Sequence, residues 1–277
     1  MQELPGRPRR NAFGNKIVPV LAALGSACVS PAFAQDAQDL AKKLSNPVAA
    51  LISVPFQLNH DQDFGPARQG HKTYLNIQPV VPISLNAEWN VISRTILPLV
   101  DQKDVTPGTS QSGLGDTTQS FFLSPKAPTS GGLIWGVGPA MLLPTGTDPL
   151  LSARKWGLGP TGVVLKQDGP WTLGALANHL WGFGGVDSRQ DVSSTFLQPF
   201  VSYTTPDAWT YLLNTESTYD WKNEQWAVPI NLFVSKLVKF GGRPVSLGVG
   251  ARYWADGPDA GPHGWGARFL LTFLFPK

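Results

Sequence analysis

Histidines and carboxylates that could form a chemical site are few and scattered in this sequence. Of four histidines, His60, His71 and His263 lie in segments rich in polar and turn-forming residues. The run His60-Asp61-Gln62-Asp63 carries metal-binding side chains, but its spacing matches no zinc or calcium site. It is interpreted as a solvated loop, and no metal ligand or cofactor-binding residue is predicted.

The fourth histidine, His179, alternates with Trp181 and Phe183, so a strand would place all three side chains on one face. A serine hydrolase needs a serine within reach of a histidine base that a third group orients. The sequence contains no Gly-x-Ser-x-Gly elbow, and the expected strand order brings no serine, histidine and acid together. His179 is interpreted as an interfacial residue, and no catalytic residue is predicted.

A further set of polar residues alternates with apolar ones, as expected for side chains that face the inside of a barrel. Charges in a narrow lumen bias ion preference, and three arginines would favour anions. Alternatively, the arginines pair with Asp116, Glu216 and the backbone to fill a closed barrel, and both interpretations stay open. The predicted lumen-lining residues are Asn76, Gln78, Arg94, Asn178, Gln198, Glu216, Asn231, Arg252 and Arg268, to which Asn214 and Lys166 can be added.

These residues must be positioned by strands, because no long apolar helix follows the first 46 residues. Turn-forming residues separate about twelve strand-like segments, with ten to fourteen as the expected range. An even number is typical of bacterial outer-membrane barrels. The predicted strands are 48–58, 74–85, 89–99, 115–124, 133–143, 157–166, 171–183, 192–204, 209–219, 226–238, 244–254 and 264–275.

The last segment, 264–275, has the clearest alternation. One face carries Trp265, Phe269 and Phe275 among apolar residues, and the other carries Arg268 and Thr272. The apolar face is long enough for a tilted strand to cross a bilayer once. An alternating strand with terminal aromatics resembles the sorting signal that the assembly machinery of outer-membrane barrels reads. We expect it to pair with the first strand, near 48–58, and close the ring.

The links between predicted strands alternate in length. The odd-numbered links (59–73, 100–114, 144–156, 184–191, 220–225 and 255–263) are mostly long and polar, and the even-numbered ones are mostly short. Long outer loops and tight periplasmic turns are the asymmetry of an outer-membrane barrel. The tryptophans near strand ends fit two aromatic girdles, namely Trp89, Trp135, Trp171, Trp181, Trp209, Trp226 and Trp265.

Prolines inside the strands require bulges or breaks in pairing, because proline lacks the ladder donor. The motif Trp-Gly-x-Gly-Pro occurs at 135–139 and again at 156–160, in adjacent strands. It either bends tightly curved strands, the favoured interpretation, or makes a weak seam through which a hydrophobic solute could leave sideways.

The N-terminus has the three parts of an export signal in order. A basic segment up to Lys16 precedes a short apolar run, 17–29, and Ala32-Phe33-Ala34 is a small-x-small cleavage site. We therefore predict a signal peptide at 1–34, and helical spacing predicts a short periplasmic or plug helix at 35–46. The barrel is predicted to occupy 47–277.

The net charge of +3 belongs to that signal. Removing the four basic residues and one acidic residue of 1–34 from the 22 and 19 of the whole chain leaves 18 of each. The remainder has no basic excess for nucleic acid, so no nucleic-acid partner is predicted.

Nine segments spread over nearly the whole mature chain carry a resemblance to a known family. They are 46–55, 75–79 (Leu-Asn-Ile-Gln-Pro), 94–98, 113–116, 121–126, 155–160, 169–171, 175–178 and 273–277. In these segments the chain resembles the phenol-degradation MetA-pathway family of proteobacterial outer-membrane proteins, sometimes labelled transporters or, misleadingly, neuromedin U. The resemblance implies a barrel with an uptake role for aromatic or other hydrophobic compounds, and it carries over no site residues.

Together these observations predict an all-β, antiparallel transmembrane barrel in the bacterial outer membrane. The expected function is a channel or transporter for passive uptake of small solutes. A closed structural or surface-binding barrel is the alternative, and a barrel hydrolase is the third hypothesis. The expected partners are outer-membrane lipids and lipopolysaccharide, the assembly machinery and a small-molecule solute.

Overall fold

Fifteen strands follow one helix in the computed structural model, which describes residues 31–276. The predicted signal peptide therefore lies mostly outside the described residues. The elements are α1 (Pro31–Leu44), β1 (Ile52–Phe64), β2 (Gly70–Ile77), β3 (Val80–Ser84), β4 (Trp89–Lys103), β5 (Ser110–Leu114), β6 (Thr117–Pro125), β7 (Leu133–Leu143), β8 (Lys155–Asp168), β9 (Trp171–Gly185), β10 (Ser193–Thr204), β11 (Trp209–Thr215), β12 (Ser217–Asp220), β13 (Gln225–Phe240), β14 (Arg243–Asp256) and β15 (Gly264–Phe275).

The fifteen strands form a closed antiparallel barrel of twelve barrel strands, as predicted, and each barrel strand, whether continuous or broken, is called a stave. Three staves are broken once each, at 78–79 between β2 and β3, at 115–116 between β5 and β6, and at Glu216 between β11 and β12. Each stave pairs with its neighbours in sequence, and the ring closes where β1 meets β15, from Ile52↔Phe275 to His60↔Ala267. Closure leaves no free sheet edge.

Apolar and polar side chains lie on opposite faces of the strands, as the alternation in the last segment predicted. In β15, Trp265 is 63% exposed and Phe269 55% exposed, whereas Arg268 and Thr272 on the other face are buried. The exposed faces of β9, β13 and β14 also carry large apolar residues, including Leu173, Leu232 and Leu247. The barrel thus has an apolar outside and a partly polar inside.

The links remain asymmetric, although the strands extend further than predicted. At one end, called the outer end, the links are 65–69, 104–109, 144–154, 186–192, 221–224 and 257–263, and at the inner end they are 85–88, 126–132, 169–170, 205–208 and 241–242. Much of the predicted loops 59–73 and 100–114 is strand, because polar residues there continue the pairing of β1, β2 and β4. The first strand also begins at Ile52 instead of residue 48.

Glycines allow two of the hairpin links at the inner end to be only two residues long. Gly241 and Gly242 both have positive φ, at 56° and 80°, which matches the right-handed twist of the flanking strands. The link between β8 and β9 is only Gly169-Pro170, with Gly169 at φ 50°. Such two-residue connections leave no chain to reach across the inner mouth.

Prolines interrupt pairing, as predicted. Pro139 of β7 has no pairing partner in β6. Pro160 of β8 likewise has none in β9. Between themselves, β7 and β8 pair without a gap, and the two prolines face each other. A bulge also lies between Val228 and Pro229 in β13.

Helix α1 lies at the inner mouth. Its Ala37 and Ala41 are buried with Ala208 from an inner link and Leu237 on the lumenal face of β13, and Gln167 Nε2 donates to the Lys42 carbonyl at 2.9 Å. The helix begins at Pro31, four residues before the predicted start, and ends two residues before the predicted end. None of the helices in residues 31–276 has the length and hydrophobicity to span a membrane.

Candidate functional site: the barrel lumen

Four ionised side chains meet in the lumen, and we call Asp61, Glu216, Arg252 and Arg268 the charged layer. Both arginines donate to Glu216: Arg252 Nη2 at 2.9 Å, Arg268 Nη1 at 2.9 Å and Arg268 Nη2 at 2.7 Å. Arg252 Nη1 also donates to Asp61 Oδ2 at 3.1 Å. Charge-assisted bonds with these fork geometries are the strong kind.

Neutral side chains saturate the remaining donors and acceptors of the charged layer. Arg252 Nε donates to Asn231 Oδ1 at 2.8 Å, and Arg268 Nε donates to Asn59 Oδ1 at 2.7 Å. Asp61 Oδ1 accepts from Trp254 Nε1 at 3.0 Å, and Arg252 also donates to the Tyr74 hydroxyl. A buried charge is tolerated when it is paired and hydrogen-bonded in this way.

Three features of the strands place these groups together. Alternation on β14 and β15 points Arg252 and Arg268 inwards, and the break at Glu216 between β11 and β12 turns that carboxylate towards them. Gly266 makes room for Asp61, since a Cβ at residue 266 would lie 2.5 Å from Asp61 Oδ1.

The interior contains a cavity on each side of the charged layer. The outer cavity, of about 410 Å³, is lined by Asp61, Lys72, Tyr74, Asn76 and Trp254 among others. The inner cavity, of about 230 Å³, lies between the C-terminal end of α1 and the barrel wall. Its wall is mostly apolar, with a polar part that includes Lys43, Gln78, Arg94, Gln198 and Asn214.

Arg94 differs from the other two arginines. Within residues 31–276 its side chain makes one hydrogen bond, from Nη2 to Gln78 Oε1 at 3.3 Å, and no carboxylate there lies within ion-pairing distance of it. The side chain is half-buried and lines the inner cavity. Arg94 is therefore the lumenal arginine with donors to spare.

Eight of the nine predicted lumen residues lie in these places, whereas Lys166, which was added to them, is exposed on the same face of β8 as Val164. Asn231, Arg252, Arg268 and Glu216 join in the charged layer and its shell. Asn76 lines the outer cavity, and Gln78, Arg94 and Gln198 line the inner one. Asn178 pairs in register with Thr161 and lies on the same strand face as buried Leu176 and Leu180, away from both cavities.

Two interpretations of carboxylates were wrong. Asp61 belongs to β1 and is 1% exposed, so the run from His60 to Asp63 is neither a solvated loop nor a metal-binding loop. Asp116 pairs with no arginine. Instead it orders the link 144–154, accepting from Gly146 N at 3.0 Å, Ser152 Oγ at 2.6 Å and Ala153 N at 2.7 Å.

Sequence reasoning missed Asp61, Asn59, Tyr74 and Trp254 as lumen residues. A signal was present, because Gln57, Asn59 and Asp61 alternate with Leu58 and continue the polar face of β1. Ending the strand at residue 58 hid it. In the described part of the chain, no group of three or more His, Cys, Asp or Glu side chains could hold a metal ion.

On the outside of the barrel, His179 lies beside Trp181, with ring centroids 4.1 Å apart. His179 Nδ1 is 2.7 Å from Thr195 Oγ1, which also accepts from Trp221 Nε1 at 2.8 Å. The other ring nitrogen, Nε2, has no partner, so this pair lacks the third group that orients a catalytic base. Other aromatic contacts, such as Trp171 with Tyr203 and Tyr253 with Trp265, lie near the strand ends as girdles do.

Comparison with solved structures shows the same fold in an outer membrane channel from Pseudomonas putida, at 14% identity and a TM-score of 0.64, covering 82% of this chain and 96% of that one. The NanC porin is similar at 11% identity and a TM-score of 0.48, covering 82% and 100%. An outer membrane phospholipase from Salmonella typhi is similar at 10% identity and a TM-score of 0.46, covering 81% and 91%. A comparison with curated protein sequences found no match to this chain.

A sequence profile matches residues 66–277, from the first outer link to the last residue. The matched part contains eleven of the twelve staves and all of the charged layer except Asp61. The chain belongs to the family described as Putative MetA-pathway of phenol degradation.

Proposed function

We propose that the protein is a bacterial outer-membrane channel through which small solutes pass down their concentration gradients. The main support is the pairing of an apolar outer face with a lumen that holds cavities on both sides of the charged layer. A soluble protein rarely exposes so continuous an apolar surface, whereas a barrel in lipid requires it.

The same proposal covers location and assembly. A signal peptide at 1–34 exports the chain, lipids and lipopolysaccharide surround the apolar belt, and β15 presents its aromatic end to the assembly machinery. Helix α1 acts as a plug of the inner mouth, which its packing against Leu237 and Ala208 supports. The barrel domain is 47–277.

The proposed solutes are small and aromatic or otherwise hydrophobic. The family description names phenol degradation, and the inner cavity offers an apolar wall. The polar residues predicted to line the pore would orient such solutes, with Arg94 at the inner cavity and Asn76 at the outer one.

Conductance of the purified protein in planar lipid bilayers tests the channel. We expect discrete current steps, together with flux of small aromatic solutes into liposomes that contain the protein. Heat-modifiable gel migration of the same preparation reports that the barrel is folded. A folded barrel with no current in any salt and no solute flux would contradict the proposal.

The saturated charged layer favours a second candidate, a closed structural or surface-binding barrel. In that case the interior is filled and the outer links contact surface polymers or partner proteins. The bilayer and liposome measurements separate the two candidates directly.

A barrel hydrolase is the remaining candidate. It rests on the His179–Thr195 pair, which faces lipid but lacks an orienting acid or amide on His179 Nε2. Hydrolysis of a lipid ester panel, lost in His179→Ala, would establish this candidate.

A further inference from the structure

The inner cavity combines an apolar wall with Arg94, which makes no direct ion pair with a carboxylate of the described residues. Phe200, Leu212 and Phe233 contribute to the wall, and Leu44 and Leu51 close it on the side of the plug helix. A dry apolar cavity of about 150 Å³ is sufficient to bind benzene. The inner cavity, at about 230 Å³, can therefore take one aromatic ring with a small substituent.

Arg94 supplies the polar end. Its guanidinium carries five N–H donors in a planar fork, and the structure uses one of them, at 3.3 Å to Gln78. A guanidinium in a low-dielectric lumen is stabilised by a carboxylate that accepts two parallel bonds from the fork. The barrel provides such a carboxylate to Arg252 and Arg268 but not to Arg94.

A chain of side chains fixes a second donor at this cavity. Arg252 Nε can only donate, so Asn231 must present Oδ1 to it, at 2.8 Å. Asn231 Nδ2 then donates to Asn214 Oδ1 at 2.9 Å. The amide nitrogen of Asn214 is thereby left as a donor without an acceptor among the described residues, and Asn214 lines the inner cavity.

We infer that the inner cavity binds a monocyclic aromatic carboxylate, whose carboxylate accepts from Arg94 and whose ring packs against Phe200, Leu212 and Phe233. The amide nitrogen of Asn214 is a further donor at the same cavity. A small inorganic anion would leave the apolar wall uncovered, and a neutral ring without an acceptor would leave the spare N–H donors of Arg94 unused. The inference gives a substrate class to the proposed channel and depends on that function for its meaning as a transport step.

Isothermal titration of detergent-purified protein with benzoate tests the inference, with benzamide, phenol and chloride as comparison ligands. Benzoate should bind at least roughly tenfold more tightly than benzamide or phenol, the scale of a charge-assisted hydrogen bond. Equal binding of benzoate and benzamide, or no benzoate binding, would overturn it. Binding of benzoate that chloride displaces at equal concentration would reduce the site to a general anion site and also overturn it.

Arg94→Met should weaken benzoate binding by roughly tenfold or more and leave phenol binding unchanged. Arg243→Met, which removes an exposed arginine at the inner 241–242 turn, is the matched control and should bind as the unaltered protein does. Unchanged benzoate binding in folded Arg94→Met would contradict the inference. Bilayer currents in the same preparations distinguish the two proposals. Current without benzoate binding would contradict only the inferred ligand, and benzoate binding without current would contradict only the proposed channel function.

Discussion

The charged layer and the inner cavity both place arginines inside the barrel, but they treat the charge differently. Arg252 and Arg268 make bonds of 2.7–3.1 Å to carboxylates and amides, whereas Arg94 makes one bond of 3.3 Å. A cluster whose donors and acceptors are already paired costs much free energy to disrupt and has few groups left to bind a solute. An arginine with unused donors contributes little to the stability of the fold and can bind a solute. The charged layer therefore stabilises the barrel, and the inner cavity is the part of the lumen suited to recognition.

The largest effect should follow removal of the shared carboxylate. Glu216→Ala leaves two buried arginines without their common partner, and breaking a buried pair in this way costs about 3–5 kcal/mol. Arg94→Met should change the free energy of unfolding by less than about 1 kcal/mol, because Arg94 has one long hydrogen bond and no direct ion pair to lose. Urea unfolding in lipid vesicles measures both, and equal losses in the two variants would erase the distinction between the regions.

Removal of the plug should mainly affect the inner side. Deleting residues 36–43 takes away Ala37 and Ala41, which pack against Ala208 and Leu237. We expect a conductance severalfold higher, since the inner mouth is then open to the lumen. Asp39→Asn, on the exposed side of α1, is the control and should leave the current unchanged. An unaltered current in the deletion would place the main resistance at the charged layer.

Ion preference should move in opposite directions when the two regions are changed. Arg94→Met removes a positive charge and should lower the permeability ratio of anions to cations, whereas Asp61→Asn removes a negative charge and should raise it. Reversal potentials in a salt gradient should show changes of a few-fold. A shift of the same sign in both variants would show that at least one of the two side chains does not act on permeating ions through its charge.

The smallest effect is expected at an ion pair of the outer end, between the buried Lys155 and the exposed Asp191. Lys155 Nζ lies 2.8 Å from Asp191 Oδ1, and the hydrogen bond from Lys155, with its charge, lowers the pKa of the Asp191 carboxyl. The pair therefore stabilises the fold above the ordinary aspartate pKa, and this contribution is lost as the pH falls through the lowered pKa. Melting temperatures of the unaltered protein and Asp191→Asn should differ slightly at pH 7 and converge in acid. A persistent difference in acid would show that Asp191 acts by some other contact.

Sequence reasoning predicted the barrel because its main signal is local. A strand shows its two faces by period-2 alternation, and turn residues mark its ends. Segment 264–275 was predicted with the bounds that the structure gives to β15, and its pairing with the first strand was also predicted correctly. The lumenal orientation of Arg252 and Arg268 follows from the same alternation.

The partners of these arginines were harder to predict, because they depend on register between strands distant in sequence. Asp61 and Arg252 are 191 positions apart, and no local pattern indicates that they touch. The filled-barrel interpretation, one of the two left open, paired Asp116 with an arginine, yet Asp116 orders a loop through backbone amides. The lone bond of Arg94 is likewise a result of packing and has no counterpart in the sequence pattern.

The closing seam between β1 and β15 sets the order in which contacts can form. Every other stave pairs with the one next to it in sequence, so those pairs need only short loops to close. The seam joins Ile52 to Phe275 and must wait until the intervening chain is in place. Because formation of long-range pairings is the slow step in β proteins, the time taken to complete the barrel is expected to be the time taken to form this one seam.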